Sequence, residues 1–176
     1  IVLDRDGVIN HDSDDYIKSP DEWYPISGSL DAIVQLKSAG YQVCVATNQS
    51  GIGRGLFCLE TLTAIHKKMT DEVNNAGGGI DLIAFCPHHP DEQCGCRKPK
   101  TGLLQAINQE FPLCPDKSWM VGDTLKDMVV AQRMGIRSAL VQTGKGEREL
   151  AKSAVSRETT PVFENLSSFV DWLLAD

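Results

Sequence analysis

Ile1-Val2-Leu3-Asp4-Arg5-Asp6-Gly7 opens the chain, and its reading decides the fold. Three apolar residues run straight into two aspartates spaced i, i+2, and a glycine follows at once. Such a run is expected to be a buried parallel strand with its carboxylates at the C-terminal end. Side chains alternate along a strand, so Asp4 and Asp6 are expected to leave on one side. Gly7 lets the chain turn there. In open α/β sheets the ligand crevice lies beyond the C-terminal strand ends. Two carboxylates there form a site for a hard cation, or a nucleophile beside an acid/base. An acidic turn after a strand is the plainer reading of this stretch alone, and the rest of the chain outweighs it.

Working outward, residues 8–27 lack periodicity. His11-Asp12-Ser13-Asp14-Asp15 is acidic and turn-like, and Pro20 and Pro25 break any helix. The segment reads either as a solvated loop or as part of a site. Ser29 caps an expected helix that Gly40 ends. Tyr41 to Ala46 reads as the second strand, with Thr47-Asn48-Gln49-Ser50-Gly51 beyond it. Leu59 to Asn75 reads as a long helix, Ile80 to Phe85 as the third strand, and Pro87 to Pro99 as a cysteine-bearing loop. A helix begins at Thr101. Ser118 to Val121 is the fourth expected strand, ending in Gly122-Asp123, and Thr124 to Met134 the next helix. Arg137 to Val141 is the fifth strand, followed by Thr143-Gly144-Lys145-Gly146. Glu147 to Ser153 reads as helical, Pro161 to Phe163 as a short edge strand, and Leu166 to Leu174 as a closing helix. Strands alternating with helices predict a three-layer, doubly wound parallel sheet. Residues 1–176 are expected to form one domain, with no repeat and no linker.

The chain has 176 residues and a net charge of −7. That balance argues against a general nucleic-acid or membrane binder. No apolar run reaches the roughly 18 residues a membrane span needs. No secretory leader is visible, although the chain opens inside a strand, so a few upstream residues are expected. Six cysteines are present. Cys86, Cys94 and Cys96 cluster, whereas Cys44, Cys58 and Cys114 are scattered. Clustered thiols beside histidines favour metal in a reducing cytoplasm over a disulfide scaffold. Cys44, inside Val43-Cys44-Val45, reads as a small buried apolar residue.

Chemical groups recur where strands end: Asp4 and Asp6, then Thr47 and Asn48, then Arg97 and Lys98 after the cysteine loop, then Asp123 with Asp127 a turn further on. A parallel sheet gathers these ends on one face. Each part fits phosphoryl transfer. An aspartate cannot attack an anionic phosphate monoester until charge is neutralised. A Mg²⁺ held by Asp4, Asp123 and the Asp6 carbonyl would do that. Thr47 and the N–H groups after it would donate to phosphoryl oxygens, and Lys98 would add a fixed positive charge. Asp4 is the expected nucleophile and Asp6 the expected acid/base. Asp127 is expected to orient water or Lys98 rather than bind metal.

Asp4-Arg5-Asp6-Gly7-Val8, Thr47-Asn48, Lys98 and Gly122-Asp123 with Asp127 resemble the four motifs of the haloacid dehalogenase-like phosphatases, across nearly the whole chain and in order. The resemblance implies a Rossmann-like sheet of strand order 3-2-1-4-5, without a large cap domain. Cys86-Pro87-His88-His89-Pro90 followed by Cys94-Gly95-Cys96 fits a closed, structural Cys₃His zinc site. On spacing either His88 or His89 serves; resemblance to zinc-loop phosphatases of this family picks His88.

Within the family, Asp-Arg-Asp-Gly-Val-Ile-Asn10, Thr47-Asn48-Gln49-Ser50-Gly51, Cys-Arg-Lys-Pro and Thr143-Gly144-Lys145 resemble the branch acting on a heptose 1,7-bisphosphate at its 7-phosphate. That implies a small phosphorylated sugar as partner, a cytoplasmic monomer, and heptose supply for lipopolysaccharide core or S-layer. It implies substrate contacts from Asp12, Tyr16, Thr47, Asn48, Gln49, Ser50, Arg97, Lys98, Thr124 and Lys145. Residues 12–16 depart from the branch's substrate loop. Histidinol phosphate is the alternative substrate. A phosphorylated receiver domain would carry its acceptor aspartate on the third strand, where this chain has a cysteine loop. A zinc-bearing interaction module would not need Asp4, Asp6, Thr47, Lys98 and Asp123 together.

Overall fold

The computed structural model describes residues 1–152 and 155–175. Its strands are β1 (Val2–Leu3), β2 (Cys44–Asn48), β3 (Leu82–Cys86), β4 (Trp119–Gly122), β5 (Arg137–Val141) and β6 (Val162–Phe163). They form one parallel sheet in the order β3-β2-β1-β4-β5-β6. The expected order holds, and the expected edge strand extends it beside β5. The helices are α1 (Ser29–Ser38), α2 (Leu59–Asn75), α3 (Gly102–Glu110), α4 (Leu125–Met134), α5 (Gly146–Ala151) and α6 (Leu166–Leu174). The expected fifth helix reached Ser153, which lies outside the described residues. No helix among the described residues is long and apolar enough to cross a membrane.

Strand alternation sorts the core into two layers. Leu3, Val45, Val121 and Val141 face α1, α2 and α6, through residues such as Ile33, Leu36, Ile65, Met69 and Phe169. Val2, Cys44, Ala46 and Met120 face α3 and α4, through Leu104, Ile107, Val130 and Ala131. Cys44 thus packs as an apolar residue, and burial pushes its thiol up to about 11.

Several strand boundaries shift from expectation, most by a residue or two, and the two ends of β2 are the ones that matter to the site. β2 starts at Cys44 rather than Tyr41. Tyr41 N–H closes the end of α1 on Leu36 O, and Val43 N–H goes to the Asp81 carboxylate instead of a strand partner. At its other end β2 runs on through Thr47 and Asn48, which pair with Phe85 and Cys86. Two expected loop residues and the first cysteine of the cluster are therefore held in regular sheet.

The 8–27 segment is not a loosely solvated loop. Trp23, Ile9 and Ile17 are buried in the core. Pro20–Glu22 forms one 3₁₀ turn, and Asn10 bridges to Asp6 and Pro25. From α2, Lys68 Nζ donates to both Pro20 O and Trp23 O at 2.9 Å. The ammonium also lies 5.2 Å from the Tyr24 ring centre. The segment's underside is fastened to a helix.

Candidate active site

Beyond β1, Asp4 N–H donates to Val121 O, and Arg5 N–H donates to Asp4 Oδ1 at 2.7 Å. Lys98 Nζ lies 3.1 Å from Asp4 Oδ1 and 2.6 Å from Asp127 Oδ1. Asp127 uses its other oxygen to accept from Thr124 N–H and Oγ1 at the start of α4. Oxygens of Asp4, Asp123 and Asp127 all lie within 4.8 Å of one another. Burial, then neighbouring carboxylates, push Asp123 up to about 8. Burial likewise raises Asp4 to about 7, against the pull of Lys98. Burial also works against charge on Lys98, but Asp127 and Asp4 outweigh it and hold the ammonium above its ordinary value.

The turn after β1 and the turn after β5 close on Asp123. Gly7 and Gly144 have φ of 81° and 59°, and a Cβ at either would sit 2.2 Å from Asp123 Oδ2. Lys145 N–H donates to the same oxygen at 2.8 Å, and Thr143 Oγ1 donates to Gly7 O. Only glycine permits both the left-handed backbone and the approach.

A cavity of about 440 Å³ opens over this centre. Every residue expected to touch substrate or act in catalysis lines it: Asp4, Asp6, Asp12, Tyr16, Thr47, Asn48, Gln49, Ser50, Arg97, Lys98, Asp123, Thr124 and Lys145. Several are already engaged. Asn48 grips the main chain of Lys98, accepting from its N–H at 3.0 Å and donating to its C=O at 3.1 Å. Lys145 Nζ, expected to contact substrate, pairs with Asp12 at 2.7 Å. Arg97 keeps a buried Nη1 with no partner.

The cysteine cluster also assembles. Cys86 Sγ, His88 Nδ1, Cys94 Sγ and Cys96 Sγ lie within 4.8 Å of one another. Cys94 Sγ is 3.5 Å from both Cys86 Sγ and Cys96 Sγ, and His88 Nδ1 is 3.2 Å from Cys96 Sγ. Tetrahedral zinc with thiolate bonds of about 2.3 Å needs edges of roughly 3.8 Å, so the four donors fit it. His89 is elsewhere: its Nδ1 accepts from Asp91 N–H in the Pro90–Glu92 turn.

Residues 95–169 match the family model described as HAD-hydrolase-like. The D-glycero-beta-D-manno-heptose-1,7-bisphosphate 7-phosphatase of Pseudomonas putida is 49% identical over 174 residues, covering 99% of this chain and 98% of that protein. The phosphatase of that name from Neisseria meningitidis serogroup A is 47% identical, covering 100% and 95%. The crystal structure of D,D-heptose 1.7-bisphosphate phosphatase from B. bronchiseptica, complexed with magnesium and phosphate, superposes with a TM-score of 0.95 at 46% identity, covering 99% and 97%. The chain belongs to this heptose-bisphosphate phosphatase family.

In this member of the phosphatase family the acid/base candidate has company that the sequence did not announce. Arg5 is fully buried, and its guanidinium grips both oxygens of Asp6 at 2.7 and 2.9 Å. Asn10 Nδ2 and Gln49 Nε2 donate to the same carboxylate, and Gln49 also donates to Thr47 Oγ1. Burial works to raise Asp6, but Arg5 and these donors outweigh it, leaving the carboxyl below its ordinary value. The Asp6 side chain therefore stands apart from the Asp4, Asp123 and Asp127 group, although both border the cavity. A signal for Arg5 existed: a charged residue inside a buried strand end needs a partner.

Proposed function

We propose that this chain removes the 7-phosphate of D-glycero-β-D-manno-heptose 1,7-bisphosphate through an aspartyl phosphate on Asp4. The observation that carries the reading is the Asp4–Lys98–Asp127 arrangement beside Asp123, at the floor of a cavity whose rim bears Arg97 and Lys145. Full-length similarity to phosphatases of that name supports the substrate.

Crowded carboxylates suit a divalent cation, since burial and mutual repulsion already raise Asp4 and Asp123. Asp4, Asp123 and the main-chain carbonyl of Asp6 would hold Mg²⁺. Bound there, the ion supplies charge neutralisation for nucleophile and phosphate. Asp4 attacks phosphorus in line, and the bond from phosphorus to the sugar oxygen breaks. Lys98, fixed by Asp127 and by the Asn48 grip on its main chain, offsets charge on the phosphoryl oxygens. Thr47 donates to the same group. Asp6 passes a proton to the leaving alkoxide, which departs as the sugar alcohol. Resting Asp6 is a carboxylate, and the arriving phosphate dianion raises its proton affinity. The restored carboxylate then takes a proton from the water that opens the aspartyl phosphate, releasing inorganic phosphate.

Cys86, His88, Cys94 and Cys96 would hold Zn²⁺ with no open position, which makes that ion structural. It would set the chain just before Arg97 and Lys98. A cytoplasmic location, where thiols stay reduced and sugar phosphates are made, is consistent with this reading.

Arg97 lines the cavity and forms no ion pair among the described residues. Guanidinium suits a second phosphate and repels the amine of histidinol phosphate. Competing the two substrates in one assay tests the assignment. The heptose bisphosphate is expected to win by at least ~100-fold in kcat/KM, about 2.7 kcal/mol. Equal or better use of histidinol phosphate overturns the substrate while leaving the phosphatase chemistry standing. Arg97→Ala is expected to erode the preference more than it slows a simple monophosphate.

A further inference from the structure

A second cavity, of about 670 Å³, adjoins the first along Arg97, Lys98 and Lys126, which border both. Its other cations are Arg54, Lys100 and Arg133, and no carboxylate lines it. In a chain of net charge −7 that is a marked segregation of charge. The Lys98 ammonium is answered by Asp4 and Asp127. The remaining five cations form no ion pair among the described residues. Two are steadied by main-chain carbonyls, Arg133 Nη1 on Pro99 O at 2.7 Å and Lys100 Nζ on Gln93 O. The carbonyls orient these heads without cancelling their charge.

Like charges gathered without counterions repel one another, and the field they make draws in anions. The cavity has the size of small-molecule sites, which run from about 300 to 1,000 Å³. One phosphate carries at most about two charges at neutral pH and would leave most of this cluster uncompensated. We propose that this groove binds the diphosphate group of a small phosphorylated molecule, either free pyrophosphate or a nucleoside diphosphate. Arginine forks and ammonium groups on several sides suit adjacent phosphates, whose oxygens point in several directions. The groove shares Arg97 with the heptose reading, but Arg54 and Lys100 border the groove alone, so the two readings fail separately.

Calorimetric titration of the purified, metal-loaded protein tests it, with pyrophosphate, a nucleoside diphosphate and orthophosphate as probes. Pyrophosphate is expected to bind at least ~10-fold tighter than orthophosphate. The double variant R54A/K100A, whose two positions lie outside the cavity over Asp4, is expected to weaken that binding by at least ~10-fold. Its kcat/KM on a simple phosphomonoester is expected to stay within about two-fold of wild type, which also shows that it folds. The charge-keeping variant R54K/K100R is expected to retain binding. Equal affinities for pyrophosphate and the nucleoside diphosphate identify the diphosphate alone as the recognised group, and a tighter nucleotide adds a base contact to it. Binding that R54A/K100A leaves unchanged overturns the proposal, as does R54A/K100A weakening orthophosphate as much as pyrophosphate.

Discussion

Lys98 Nζ sits 2.6 Å from Asp127 Oδ1, and both side chains are withdrawn from solvent. A buried ammonium is tolerable only while its partners hold it. Asp127→Asn keeps the shape and removes the charge. It is expected to lower stability by about 3 kcal/mol. Turnover is expected to fall ~10²-fold, because Lys98 loses the contact that fixes it at the phosphoryl site. Thermal melting and steady-state kinetics check both; wild-type values for either would mean that Asp4 alone holds Lys98.

Asp4→Asn removes the attacking charge and is expected to cost at least ~10³-fold in turnover. Its effect on stability runs the other way. Asp4 crowds Asp123 and Asp127, so the variant without added Mg²⁺ is expected to melt no lower than wild type. A folded Asp4→Asn protein with near-normal activity would sink the mechanism.

Elemental analysis of purified protein is expected to find about one zinc per chain, and turnover to require added Mg²⁺. Cys94→Ser is expected to lower zinc content and melting temperature more than it changes the chemical step. The reverse pattern, with full stability and no zinc, would leave three unrelated thiols.

His66 gives the acid dependence a definite sign. Burial, then the Arg5 charge, push its pKa down to about 3 from an ordinary value of 6.5, so it stays neutral in the folded chain. Between pH 6.5 and 3 the unfolded chain holds a proton here that the folded chain lacks. The stabilisation is whole above 6.5, and each pH unit below it costs about 1.4 kcal/mol until about pH 3. His66→Phe, beside the Phe85 ring, is expected to flatten that slope. Denaturant melts at pH 7.5, 6 and 5 supply the comparison, and parallel slopes for the two proteins would refute it.

What the sequence made legible was chemistry at strand ends. Asp4, Asp123, Lys98 and the cysteine cluster announce themselves, because few structural needs place such groups after apolar runs. The place of Asp127 beside Lys98 was legible too, since a helical turn beyond Asp123 brings it to the same floor. Pairings across long stretches of chain were not legible. Nothing local tells that Asn48 holds the main chain of a residue 50 positions away, or that Asp12 neutralises Lys145. Arg5 had no role in the sequence reading, because period-two alternation would send it away from Asp4 and Asp6. The strand ends at Leu3, so alternation no longer governs Arg5. The late start of β2 has a similar cause: Asp81 caps Val43 through a side chain, a contact without periodicity.

Lys68 holds the carbonyls of Pro20 and Trp23 from below, and so turns the 8–27 segment into a fixed sill. A sill fastened to a helix does not sweep across the mouth as a lid does. On the proposed mechanism bulk solvent would then meet phosphorylated Asp4 in every cycle, and water would be only the most abundant acceptor present. Small alcohols compete with it. In rising glycerol, inorganic phosphate released is expected to fall progressively short of sugar released, with the difference appearing as glycerol phosphate; equal release of the two at every glycerol concentration would refute it.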